Sequence, residues 1–414
     1  MINLKSLQKL AQPSSVPAAA RCIVFDGKTA VTVARAQGSA RWWAGVPHVQ
    51  EGLSRPLAVP VDSIKSHLLR SRHLMMDEAG LHNGAGMRTG WAADHPCVGA
   101  AALLPAMPAG APVARCEIVL DVLDRVAIAA AVHDVRDYLQ GVLLDFDNGV
   151  LVATDGLRLH CHGGGVPVVQ GAGRVILPVE AVKWLLHSAG DVAEVTVWRA
   201  GNGSAQVLMR ASDAFVFAHG LDGRYPDWQR VVPAMATRGA RFRVDPVALA
   251  SAVEAMGRLH KLEGKAKRGI VSLDLVAGQV RAGNSPDRCA VVEMTVDTGA
   301  GEPFAVSFTA DLVQDVADCV GVGAQWGMPR RGEKGPDGPL LVLQGSFVAV
   351  VMPCREPERP PVGDVAEEVA EAEPCPAAVA AVAAQLVSRV SAGAAVSAKR
   401  GKHKARRPVE PVEA

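Results

Sequence analysis

Two short segments of this chain nearly repeat at a distance that no small repeat unit can span. Pro60-Val61-Asp62-Ser63-Ile64-Lys65 returns 118 residues later as Pro178-Val179-Glu180-Ala181-Val182-Lys183. Each follows an apolar, strand-like run and opens an amphipathic pattern. Pro stands at the helix start and an acid in the first turn, where the fixed φ of proline and the helix dipole favour them. Thr309-Ala310-Asp311-Leu312-Val313 is a weaker third copy, 131 residues further on. A second helical element recurs as LKSLQKLA from Leu4, LDVLDRVAIAA from Leu120 and DPVALASAVEAM from Asp245. Solenoid units are about 20–50 residues long, so these spacings call for repeated domains. They predict an α+β chain of three alike units at 1–114, 115–239 and 240–355, each helices plus strands and each long enough for its own core.

Composition agrees with several small packed units. Hydrophobic residues make up 49% of the 414 residues but aromatics only 4%. The formal net charge of +1 does not imply nucleic-acid binding through bulk charge, so any such affinity has to come from local basic clusters. The eight cysteines are scattered without a CxxC pair, which predicts reduced thiols and a cytoplasmic protein rather than a disulfide framework. MINLKSLQKLAQ has no apolar leader core, and no apolar run reaches about 18 residues, so no membrane partner is expected. Past Arg355 the composition changes. Residues 356–414 read as a disordered Pro/Glu/Ala-rich tail with a basic end, KRGKHKARR at Lys399–Arg407.

The most informative local stretch is His133–Leu159, HDVRDYLQGVLLDFDNGVLVATDGLRL. Two β-rich runs flank Asp147-Asn148-Gly149, a hairpin-type turn. A second signature, GRYPDWQRVVP, begins at Gly223, 65 residues after Arg158. Together these closely resemble the middle domain of the bacterial DNA sliding clamp, the beta subunit of DNA polymerase III. The resemblance covers 115–355 well, 1–114 loosely, and 356–414 not at all. The first copy begins directly at its helix, without the strand that opens the clamp fold, and Gly84–Pro112 is rich in Gly, Ala and Pro.

The resemblance implies three clamp domains, each with two helices facing DNA and sheets outside. It implies a homodimeric, head-to-tail ring that encircles double-stranded DNA without reading its sequence. Such a ring is opened by an ATP-driven loader and tethers a replicative DNA polymerase as a processivity factor. It also implies an apolar cleft for short peptides of polymerase and clamp-loader subunits. Carried over motif by motif, that cleft would use Leu139, Thr154, Gly156, Arg158, Leu159, Pro226, Arg230, Val231, Val350, Met352 and Pro353, with apolar walls and guanidiniums to orient the peptide. Leu157 departs from the family, which often has His there. The bland reading makes these the core strand and turn residues of an ordinary β domain.

For phosphate contacts, which are sequence-independent and salt-sensitive, the first copy offers Lys5, Lys9, Lys65, Arg70 and Arg72. The second offers Arg125 and Lys183, with His133, Arg136 and Tyr138 in a loop that approaches DNA in the family. The third offers Arg258, Lys261, Lys265, Lys267 and Arg268. Asp137 stands where the family is often aromatic, and ADLVQDVADCVG is acidic. Taken singly, such charges read as a solvated helix face; their recurrence on equivalent helices favours the channel.

Nothing in the chain reads as bond chemistry, and no cofactor is implied. His160 and His162 share a strand face without Cys161, too few ligands for a structural metal site. Asp145, Asp147 and Asp155 sit in or beside turns, where a carboxylate bonds its own backbone. No P-loop, GxSxG or GxGxxG stands between a strand and a helix. The chain is therefore expected to be a non-catalytic subunit. Two rivals stay open: a clamp-like adaptor that binds peptides without closing on DNA, and a DNA-binding protein whose affinity lies in Lys399–Arg407.

Overall fold

The computed structural model describes residues 10, 22–32, 35–47, 56–61, 74–77, 80–83, 88–90, 103–164, 166, 169–187, 190–235, 238–262, 269–285, 288–298, 305–328 and 338–354. Four α-helices lie among them: α1 (Leu120–Ala127), α2 (Val179–Leu185), α3 (Pro246–Leu262) and α4 (Ala310–Cys319). Antiparallel strands supply most of the rest, which makes the fold α+β. By spatial contacts the chain forms two compact units. The first holds Met1–Trp228, Asp311–Cys319 and Ala349–Met352; the second holds Gln229–Ala310, Val320–Val348 and onward from Pro353.

The first unit is built on a ten-stranded sheet among the described residues. Its spatial order is Val169–Gly171, Ala114–Val119, Val192–Arg199, Ala205–Arg210, Phe215–His219, Ala40–Pro47, Thr29–Thr32, Cys22–Phe25 and Leu57–Pro60, with Arg35–Gln37 on the Ala40–Pro47 strand. Segments from the first and second sequence copies therefore share one sheet, joined where Phe215 pairs with Gly45, Phe217 with Trp43 and Ala218 with Trp42. Period-2 alternation sorts the side chains. Ile23, Phe25, Trp42, Ala44, Val195, Val207 and Val216 enter one buried core with Leu123 and Val126 of α1 and Val182 and Leu185 of α2. The other face carries Val31, Trp43, Leu208 and Phe217 as a smaller cluster.

A second group of strands in this unit runs in the order Arg174–Pro178, Gly141–Asp145, Val150–Thr154 and Arg158–Gly163. The hairpin expected at Asp147-Asn148-Gly149 is present, with Leu143 opposite Val152 and Asp145 opposite Val150. Gly149 takes φ 63°, a conformation open to glycine at little cost. The Asp145 carboxylate fastens the turn, accepting from Asp147 N at 3.1 Å and Asn148 N at 3.2 Å, while Arg174 Nε donates to it at 2.9 Å.

The helix starts follow the sequence rule. Pro178 sits at the N-cap of α2 with Glu180 in its first turn, and Asp311 lies in the first turn of α4. In the first copy Pro60 ends a strand and Val61 is helical. The helix expected from Leu4, the rest of the Pro60–Lys65 segment and all of 356–414 lie outside the described residues. In the second unit, Leu340–Gln344, Gln325–Met328, Ala240–Val244, Arg288–Thr298, Gln279–Ser285, Ile270–Asp274 and Ala305–Thr309 pair in that order, and α3 packs on the Gln279–Ser285 and Arg288–Thr298 strands.

Gly141 opens the hairpin opposite Pro178. A Cβ there would lie 2.7 Å from the Leu177 carbonyl and 2.5 Å from the Ile176 side chain. Because backbone closes one side, Gly141→Ala is expected to cost about 1–3 kcal/mol through overpacking. The urea unfolding midpoint checks this.

Candidate functional site

The first unit brings together three pieces that the sequence separates: the loop Val132–Leu139, the turn Thr154–Leu159, and Ala349–Met352. The turn is self-made. Thr154 Oγ1 donates to the Arg158 carbonyl at 2.6 Å and accepts from Gly156 N at 3.1 Å. Asp155 accepts from Leu157 N at 2.8 Å and from Arg158 N at 2.9 Å, so its carboxylate serves the turn. Gly156 adopts φ 89°, the left-handed region that the reversal needs. Met352 N donates to the Leu157 carbonyl at 2.8 Å, fixing the end of the Phe347–Val351 strand against the turn.

Two kinds of side chain result. Leu139, Thr154, Leu159 and Val350 are buried. Leu157 and Met352 stand out, 51% and 43% exposed, and Val132 and Val135 project from the neighbouring loop at 65% and 97%. Exposed apolar groups on neighbouring segments mark a surface suited to a partner. Pro226 is exposed in the same unit, after the buried Tyr225. Arg230 and Val231, both exposed, and the half-buried Pro353 belong to the second unit.

Arg158 is held largely inside the protein. Its side chain is only 11% exposed, and both terminal nitrogens donate inside the protein. The guanidinium pairs with Asp155 at 3.2 Å and with Asp315 of α4, and Nη2 donates to the Ile128 carbonyl at 2.8 Å. Ile128 is the C-cap of α1. A helix end leaves carbonyls without intrahelical partners and carries partial negative charge, so a buried cation there is favoured. Nearby, His160 Nδ1 and the Cys319 thiol both donate to the Arg125 carbonyl, at 2.7 and 3.6 Å. Asp315 is thus a positioning residue that sequence reading missed. It lies 157 positions from its partner, and no local pattern announces it.

His160 and His162 are kept neutral. Burial is the main cause of both shifts, holding each imidazole down to about 4 from 6.5. Burial likewise raises the thiol of Cys161 between them. No group of three metal-ligating side chains occurs among the described residues.

Of the cations expected to face DNA, Lys5, Lys9, Lys65, Arg70, Arg72, Lys265, Lys267 and Arg268 lie outside the described residues. Arg125 pairs with Asp121 at 2.7 Å, Arg136 with Asp134 at 2.9 Å, and Arg258 with Glu254 at 2.5 Å. The Asp134 carboxyl is held down to about 2 by its bonds from Arg136. Lys183 and Lys261 are exposed, His133 is exposed with φ 58°, and Tyr138 is half-buried beside Gly223.

Comparison with known proteins places this geometry. Residues 115–227 match the family described as the DNA polymerase III beta subunit, central domain. Over part of its length the chain is similar to the bacterial beta sliding clamps. It is 33% identical to the clamp of Pseudomonas putida over 206 residues, 47% of this chain and 52% of that protein. Against the Escherichia coli K12 clamp it is 28% identical over 204 residues, 48% of this chain and 53% of that one. The chain therefore spans about half the length of the curated clamps it matches. The fold likeness runs further. The crystal structure of DNA polymerase III subunit beta from Pseudomonas aeruginosa aligns with a TM-score of 0.63 at 20% identity, over 85% of this chain and 97% of that one. The sliding clamp from Bartonella birtlesii aligns over the same shares at TM-score 0.65 and 19% identity. The clamp fold is thus shared well beyond the segment whose sequence still matches.

Two tests address the site's construction. The histidine pKa values lie below the unfolded value of 6.5, so the unfolded chain takes up protons first as pH falls. Stability is therefore expected to fall between about pH 6.5 and 4, by on the order of 3 kcal/mol for each histidine. His160→Gln/His162→Gln flattens that part of a thermal-midpoint profile. Asp315→Ala is expected to cost only about 1 kcal/mol, since Asp315 is 36% exposed and Asp155 still holds the guanidinium. Chemical denaturation measures that loss.

Proposed function

We propose that the chain is a DNA sliding clamp, a non-catalytic processivity factor that encircles duplex DNA and tethers a DNA polymerase. The observation that carries this reading is the match of residues 115–227 to the beta-subunit central domain, set within a clamp fold that extends over most of the chain. Three domains at 1–114, 115–239 and 240–355 fit this reading, with 356–414 as an appended tail. The working form is a ring of two chains in the cytoplasm, placed on DNA by a loader.

Partner peptides of the polymerase and loader dock on the exposed apolar rim of Leu157 and Met352, with Leu139, Thr154, Leu159 and Val350 buried in the same unit. Pro226 adds an exposed apolar group of the same unit, and Gly156 lets a peptide backbone come close. Arg158 supports this surface from beneath, with Nη1 held by Asp315 and Nη2 by the Ile128 carbonyl. On the DNA side, the described members of the phosphate-facing set are Arg125, His133, Arg136, Tyr138, Lys183, Arg258 and Lys261.

The direct test uses a primed circular template with the loader and polymerase of the same cell. Longer products per binding event are expected when the chain is added. A solution mass near twice the 43.2 kDa chain accompanies that result; a monomer that leaves product length unchanged contradicts the reading. Leu157→Asp and Met352→Asp alter exposed positions. Each is expected to weaken an apolar clamp-binding peptide at least about tenfold, a loss of about 1.4 kcal/mol, with thermal stability unchanged. Unchanged peptide affinity in both would remove this rim from the site.

A further inference from the structure

The outer face of the ten-stranded sheet carries more than the small cluster of Val31, Trp43, Leu208 and Phe217. The segment 103–110 lies against it and is tied at both ends by indoles. Trp43 Nε1 donates to the Leu103 carbonyl at 3.1 Å, and Trp198 Nε1 donates to the Gly110 carbonyl at 3.0 Å. Leu104, Pro105 and Met107, which fall between those ties in the chain, line a cavity of about 430 Å³. Its other walls come from both sides of the sheet joint, Val31 and Pro47 from the first sequence copy and Leu208, Ala214 and Phe215 from the second. Small-molecule sites typically enclose about 300–1,000 Å³ and favour the seams between domains. Met107 and Arg210 are exposed, so the chamber is open to solvent.

Two charged side chains line the cavity, and they differ in what they are free to do. Asp26 is committed to its own turn. Its Oδ1 accepts from Lys28 N at 2.8 Å and Thr29 N at 2.6 Å, and its Oδ2 accepts from Thr29 Oγ1 at 2.8 Å. Arg210 has no such commitment. Glu194 stands opposite it in the strand ladder, yet among the described residues no ion pair joins the two, and Arg210 lines the cavity. A guanidinium presents its donors in a fixed fork that matches a carboxylate. An apolar chamber with one uncommitted cation selects a ligand with an apolar body and a single anionic end.

We propose that this cavity is a binding site for a small apolar monocarboxylate, its carboxylate on Arg210 and its body among Val31, Leu104, Leu208 and Phe215. The site does not depend on the sliding-clamp reading and shares no residue with the rim at Leu157 and Met352. A ligand there contacts both sequence copies at once, so its binding stabilises their joint by mass action.

The experiment titrates naphthalene carboxylate and its neutral amide into the full chain labelled at its methionine methyls. Met107→Leu and Met352→Leu assign the two reporter resonances. The carboxylate is expected to bind saturably with a Kd of about 1 mM or tighter. It moves the Met107 methyl, leaves that of Met352 in place and raises the thermal midpoint of the chain. The amide is expected to bind roughly tenfold more weakly or worse, because it lacks the charge-assisted bond. Arg210→Gln, at an exposed position, erases that difference while the midpoint of the unliganded chain stays unchanged. Equal affinity for the two probes overturns the proposal, as does a preference for the carboxylate that survives Arg210→Gln. A shift at Met352 in place of Met107 assigns the probe to the rim and overturns it too. So does a failure of the carboxylate to saturate.

Discussion

The main-chain pairing of Phe215–His219 with Ala40–Pro47 is the constraint on which the first unit depends. It joins strands more than 150 positions apart into one sheet and so places Ile23, Phe25, Trp42 and Val59 in the same core as Leu123, Val126, Val182 and Leu185. Gly45 stands at the joint because the Phe215 ring lies over it; a Cβ there would come within 2.1 Å of the ring. With the sheet in place, α1 is held against its inner face. The end of α1 can then receive Arg158, His160 and Cys319 at its carbonyls. The turn that presents Leu157 is held down through that same arginine. Sheet pairing, helix capping and the candidate docking rim thus form one chain of dependence.

Charge is used sparingly and locally. Asp145, Asp155 and Asp134 each close a turn or bind a neighbouring arginine, and Arg158 spans a helix end and two carboxylates. These pairs stabilise particular conformations more than they attract partners, since exposed ion pairs contribute little net energy. A fold built this way can hold a near-neutral net charge.

How much of this was legible in the sequence depended on the range of each interaction. The hairpin around Asp147-Asn148-Gly149 and the starts of α2 and α4 follow from turn chemistry and helix-start rules, which act over a few residues. The alternation that puts His160 and His162 on one face was equally readable. The i,i+4 pairs Asp121–Arg125 and Glu254–Arg258 were written in the sequence too, yet reading the cations as an exposed set passed over them. The joint between Gly45 and Phe215 and the bond of Arg158 to Asp315 were not readable. Each depends on segments brought together only after the sheet has formed, and neither leaves a local pattern. Spatial contacts also group α4 with the first unit, although it falls within 240–355 in the chain.

The central claim is topological, and the most direct measurement is retention on closed against linearised DNA. Radiolabelled chain is loaded onto a nicked circle, separated from free protein at about 150 mM salt, and the circle is then cut once. A sliding clamp stays on the circle and leaves within seconds to minutes of the cut. A chain that binds without encircling is lost equally from both forms, and that result would contradict the account.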